Sequence, residues 1–122
     1  MSVQEKTLFE RLGGKGIIAQ ITEDVWVNHT TNPDVAKRYA NSDAQKVKAL
    51  VNEFVCWGTG GPVEYSGKDM LAAHSTMNIS HREFMAVIDD VMRALVKNDV
   101  GNREQQELLA LLFSLKDQVI HQ

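Results

Sequence analysis

The chain has 122 residues, a length that supports one domain around one hydrophobic core. Its 43% apolar and 24% charged residues are a globular composition, not a disordered or fibrous one. A net charge of −3 leaves no basic field to recruit nucleic acid or acidic lipid, and the single cysteine, Cys56, excludes a scaffold built on intramolecular disulfides.

Residues 1–6 are polar, with no apolar signal core behind a basic start. No apolar run approaches the roughly 20 residues that span a bilayer. The expectation is a cytoplasmic protein that engages neither membrane nor nucleic acid. In chain order, Thr7 and Glu10 fit a capping box and start a short helix that ends at Gly13-Gly14. Ile17, Ile18, Ile21, Val25 and Trp26 recur at helical spacing through about His29, and Asn32-Pro33 breaks that helix. After a short turn through Tyr39, Ser42 and Gln45 form a second capping-box candidate. Val47, Leu50, Val51, Phe54 and Val55 then make one apolar stripe. That helix stops at Gly58-Thr59-Gly60-Gly61-Pro62.

Residues 63–68 read as irregular, anchored by Tyr65, and a brief helix follows over about 69–74. Ser80 and Glu83 supply a third capping box. The helix it starts carries Phe84, Val87, Ile88, Val91, Met92 and Leu95 on one face. A last helix, about 103–121, carries Leu108, Leu109, Leu111, Leu112, Leu115 and Val119. No strand alternation, repeat or low-complexity tract interrupts this pattern, so the fold class is all-α and residues 1–122 form one domain.

Most catalytic templates are absent. No glycine loop is followed by Lys-Ser or Lys-Thr, Cys56 has no partner cysteine, and no His-Glu-x-x-His pair occurs. Acidic pairs such as Asp89-Asp90 read as solvated. Among the four histidines, His29 lies near a helix end and complements its dipole, His81 reads as exposed, and His121 as frayed. His74 stands at i+4 from Met70 and i−3 from Met77, so the three share a face, and Ala72 and Ala73 would let a flat ligand approach the backbone. The residues alone leave two readings open: a hydrogen-bonded core imidazole, or a neutral ligand to a metal in an apolar pocket.

The order and spacing of several motifs resemble the truncated haemoglobins from Thr7 to about Val119. They are Leu8-Phe9-Glu10-Arg11-Leu12-Gly13-Gly14, Gly60-Gly61, Tyr65-Ser66-Gly67-Lys68-Asp69-Met70 and Ala73-His74, with Met77, Ile79 and Phe84 beyond. The resemblance implies a two-over-two helical sandwich around haem b, with His74 as the iron ligand. It places Trp26, Tyr39, Val47, Leu50, Val51, Phe54, Met70, Met77, Ile79, Phe84 and Val87 along the pocket, and Lys46 and Lys68 beside the haem propionates. An aliphatic residue at Val87 resembles group I of that family.

The distal side departs from many relatives. Trp26 stands where a tyrosine is common, and an indole N–H donates but cannot accept. Tyr39 stands where phenylalanine is usual, while Val47, Leu50 and Val51 replace glutamine or histidine. No histidine lies on residues 47–54, so internal ligation from that helix is not expected. Covalent haem attachment is not expected either, because Asp117 falls where some relatives place a histidine. The resemblance implies reversible binding of oxygen, nitric oxide and carbon monoxide. It also implies nitric oxide dioxygenation if a reductase serves the protein. A peroxidase-like enzyme and a haem-free helical interaction module are the competing readings.

Overall fold

The computed structural model describes residues 6–122, and the polar start of the chain lies outside the described residues except for Lys6. Helix α1 (Leu8–Leu12) starts at Thr7, whose hydroxyl accepts from the Glu10 N–H at 3.1 Å. The hydroxyl also donates to the Glu10 carboxylate at 3.3 Å, so this carboxylate meets the cap's hydroxyl where a full box would use its backbone N–H. Gly13 closes the helix at φ 111°, a conformation other residues rarely adopt, and a Cβ there would lie 2.6 Å from Ile17 Cγ1.

Helix α2 (Gly14–Thr31) buries Ile18, Ile21, Val25 and His29 along one side. It ends where Asn32, held extended before Pro33, leaves the helical region. A 3₁₀ turn over Ala36–Tyr39 leads to α3 (Ala44–Gly58). Its cap is Asp43, accepting from the Lys46 N–H at 3.2 Å, and not Ser42. The helix begins one residue later than the Ser42-Gln45 pattern implies, and a carboxylate at that place also suits the positive end of the dipole.

Helix α4 (Met70–His74) is capped by Asp69, and α5 (His81–Lys97) by the expected reciprocal box of Ser80 and Glu83. Helix α6 (Asn102–Ser114) is shorter than its apolar spacing implies. The chain instead tightens into a 3₁₀ turn over Lys116–Gln118, buries Val119 beside Ile79, Phe84 and Ile88, and pairs Ile120 with Ile79 in an isolated parallel bridge. This packing holds the segment against the chain after α4. His121 does not fray at its backbone, since its N–H donates to the Ile79 carbonyl at 2.9 Å.

Helix α2 packs on α3 and α5, α5 packs on α6, and α1 joins α2 to α6. The pair α2 and α3 thus lies over the pair α5 and α6, the expected two-over-two arrangement, and among the described residues no strand occurs. The core between α2, α5 and α6 is built on Ile21, Val25, Ala94, Leu95 and Leu108. A second cluster of Ile79, Phe84, Ile88 and Val119 backs the functional cavity. Each fully buried aliphatic side chain contributes about 1.5–3 kcal/mol by leaving water. Among the described residues, no helix is long and apolar enough to cross a membrane.

Candidate functional site

A cavity of about 320 Å³ opens between α4, the 3₁₀ turn of residues 36–39 and the inner faces of α5 and α6. Its wall brings together eight of the residues singled out by sequence: Tyr39, Phe54, Met70, His74, Met77, Ile79, Phe84 and Val87. Trp26, Val47 and Val51 line a second cavity of about 40 Å³, and Tyr39 lines both. Leu50, Lys46 and Lys68 line neither; Leu50 is half-buried and the two lysines are exposed. Ala72 and Ala73 are exposed and contribute nothing to the wall.

His74 closes α4, and its Nδ1 lies 2.8 Å from the Met70 carbonyl one turn earlier. A carbonyl oxygen only accepts, so Nδ1 carries the proton and donates. In the neutral imidazole this leaves the Nε2 lone pair available to a metal, with the ring's orientation already fixed by the helix. The turn continues when the Met77 N–H donates to the His74 carbonyl at 3.1 Å, which returns Met77 to the same wall.

The donor set restricts what His74 can hold. Among the described residues no group of three or more His, Cys, Asp or Glu is placed to bind a metal ion. A single imidazole in an apolar cavity fits a metal that brings its other ligands with it, as iron does in a porphyrin. The apolar faces of Phe54, Ile79, Phe84 and Val87 suit a flat hydrophobic macrocycle.

Arg38 is the lysine or arginine that reaches this wall among the described residues, a role the sequence did not reveal. Its Nε and Nη2 donate to Glu83 at 2.6 and 3.0 Å, and Nη1 donates to the Met77 carbonyl at 2.9 Å. The Arg38 guanidinium draws the Glu83 carboxyl down to about 2, against the opposing effect of burial and with help from its bonds to Ser80. Glu83 therefore caps α5 and anchors Arg38 at once.

Tyr39, which lines both cavities, meets Trp26 nearly at right angles, with ring centroids 5.6 Å apart and planes at 77°. Among the described residues, no protein group accepts from the Tyr39 hydroxyl or the Trp26 indole N–H. Burial, reinforced by the charge of Asp90, pushes the Tyr39 phenol above its ordinary range, so it keeps its proton and can donate. His29 stands in the last turn of α2, as expected from its place near a helix end, and has a second environment that the sequence did not mark. It is buried, lines the smaller cavity and bonds to Asp90, itself wholly buried while its neighbour Asp89 is exposed.

The loop of residues 63–68 is irregular as expected. The Tyr65 hydroxyl donates to the Lys68 carbonyl at 2.7 Å, and the Ser66 N–H donates to Glu53 at 2.6 Å. These two bonds fix the approach to α4 and hence the placement of His74.

Residues 7–121 match the family model for bacterial-like globins. A group 1 truncated hemoglobin of Tetrahymena thermophila is 25% identical over 82% of this chain and 83% of its own length. One from Chlamydomonas moewusii is 23% identical over 94% of this chain and 68% of its own. The crystal structure of the truncated hemoglobin from Tetrahymena pyriformis in its Fe(III) form superposes with a TM-score of 0.93, covering 96% of this chain and all of that one, at 22% identity.

Proposed function

The chain belongs to the bacterial-like globin family, and from that premise we propose that His74 holds a haem b whose opposite face reversibly takes oxygen, nitric oxide or carbon monoxide. The observation that carries this reading is the His74 imidazole, locked by its Nδ1 bond to Met70 on the wall of an apolar cavity. When bound, the haem iron supplies the site at which a diatomic ligand is held. The chain supplies the rest.

Met70 orients the imidazole and raises its basicity by accepting from Nδ1. Phe54, Ile79, Phe84 and Val87 give the cavity its apolar lining. Tyr39 and Trp26 supply neutral donors on the distal side, each able to contribute one hydrogen bond of about 0.5–1.5 kcal/mol to a retained ligand. Arg38, on the same wall, is the cation best placed for a haem propionate, ahead of Lys46 and Lys68.

Among the described residues, the larger cavity holds no free carboxylate beside His74, since Glu83 is committed to Arg38 and Ser80. That favours ligand binding over peroxidase-like chemistry, which needs a distal acid–base group. The test is the visible spectrum of the purified protein with and without added haemin. A Soret band that His74→Ala weakens or shifts supports the assignment. No Soret band after haemin addition would refute it, and a band unchanged in His74→Ala would move the ligand elsewhere.

A further inference from the structure

Asp90 lies in the middle of α5 with no exposed surface, and α2 and α5 arrange a set of donors around it. His29 Nδ1 donates to its Oδ2 at 2.7 Å, Asn32 Nδ2 reaches both oxygens at 3.1 and 3.2 Å, and Arg93 donates to Oδ1. Asn28 adds a bond to the Asp90 carbonyl at 2.9 Å. Burying a carboxylate this completely is a poor route to stability, because well-packed apolar residues commonly do as well. What the carboxylate does is fix the plane of one ring. His29 lies flat against Tyr39, with centroids 5.3 Å apart and planes within 9°, and Tyr39 in turn lines both cavities.

We propose that His29 and Asp90 form a positioning pair for Tyr39, and that protonation of His29 tightens the placement of the Tyr39 hydroxyl and slows ligand release. The proposal rests on the reading of Tyr39 as a donor to the bound ligand. The physical basis is the stacking geometry. A neutral imidazole offers Tyr39 ordinary ring contact, whereas an imidazolium on the ring face adds a cation–π attraction and a full ion pair with Asp90.

The groups facing His29 come from four elements. Asn28 and Asn32 flank it on α2 and its end, Asp90 and Arg93 come from α5, Tyr39 from the 3₁₀ turn, and Lys48 of α3 lines the same small cavity while paired to Glu23. Among these side-chain types, histidine is the one whose ordinary titration falls between pH 5 and 8. Burial draws His29 below its ordinary value, and Asp90 offsets part of that, so the protonation step lies on the acid side.

The test uses the haem-loaded protein. In the diamagnetic carbon monoxide form, the His29 and Tyr39 ring protons are followed by NMR from pH 8 towards 5. Oxygen release is measured by rapid mixing over the same range, in the wild type, His29→Phe and Tyr39→Phe. The expected result is one shared midpoint for both sets of ring signals and for the release rate, with release slowing about two- to fivefold on the acid side. His29→Phe, which keeps a ring but cannot titrate, is expected to flatten the profile. Tyr39 signals that ignore the His29 titration, or a His29→Phe profile identical to wild type while Tyr39→Phe speeds release, would overturn the proposal. If Tyr39→Phe leaves release unchanged, the donor reading of Tyr39 fails, and the ring titrations in the wild-type protein then decide the positioning role alone.

Discussion

Replacing Asp90 with alanine is expected to destabilise the protein far more than the same change one residue earlier. The carboxylate is wholly buried and accepts from His29, Asn32 and Arg93. Leaving a buried donor without its acceptor costs about 1–3 kcal/mol, because the donor stays desolvated. Here Arg93 has a side chain 65% exposed and returns to water at little cost, while the His29 side chain is 9% exposed and cannot. The upper end, about 3 kcal/mol, is therefore expected, since Asn32 loses the same acceptor; at about 2.1 cal/mol/K per residue this lowers Tm by about 12 °C. Urea denaturation of the carbon monoxide form at neutral pH, with Asp89→Ala as control, measures the difference. Both substitutions gain the same helix propensity, and Asp89 is exposed, so the control should stay within about 0.5 kcal/mol of wild type. A loss below about 1 kcal/mol in Asp90→Ala would refute the account of Asp90 as the acceptor at the centre of this network.

Tyr39→Phe removes only a hydroxyl that no described protein group accepts from, so it should leave stability near wild type; at about 0.5–1.5 kcal/mol it should raise the oxygen release rate about 2- to 13-fold. Trp26→Phe should act in the same direction, and a rate unchanged in both would show that the pair is only a steric wall. Glu83, whose carboxyl is held down at about 2, contributes stability present above its ordinary value near 4.5 and lost as pH falls through about 2. In Glu83→Gln, acid unfolding monitored by circular dichroism should show a shallower loss of stability between those pH values. His29, drawn below its ordinary value by burial, acts over a different window. The unfolded chain binds its proton first as pH falls below about 6.5, so stability should decline there in the wild type and not in His29→Phe.

What sequence could reveal follows from separation along the chain. The helix faces, the Ser80 box and the shared face of Met70, His74 and Met77 are set by neighbours three or four residues apart, and periodicity exposes them. Helix α3 starts one residue after the place that the Ser42-Gln45 pattern implies, because Ser42 and Asp43 are both good caps. Helix α6 ends earlier than its spacing implies, because apolar spacing does not distinguish a continuing helix from a turn that buries the same Val119. The pairs His29–Asp90 and Arg38–Glu83 join positions 61 and 45 residues apart, so nothing local marks them. A buried aspartate next to the exposed Asp89 looks like any surface acid until the facing helix is in place.

One guanidinium gives the site a property that neither wall has alone. Arg38 is the chain neighbour of Tyr39, and it grips the carbonyl of Met77, three residues beyond His74. A shift of the His74 segment must either carry the Tyr39 turn with it or break that bond. The Tyr39 turn and the segment after His74 are thereby tied by one bond. If a ligand held beneath Tyr39 tightens the grip at His74, thermodynamic reciprocity requires that a tighter grip at His74 favour the ligand by the same factor. Severing the link at Arg38 would remove that tie and should weaken any such reciprocity.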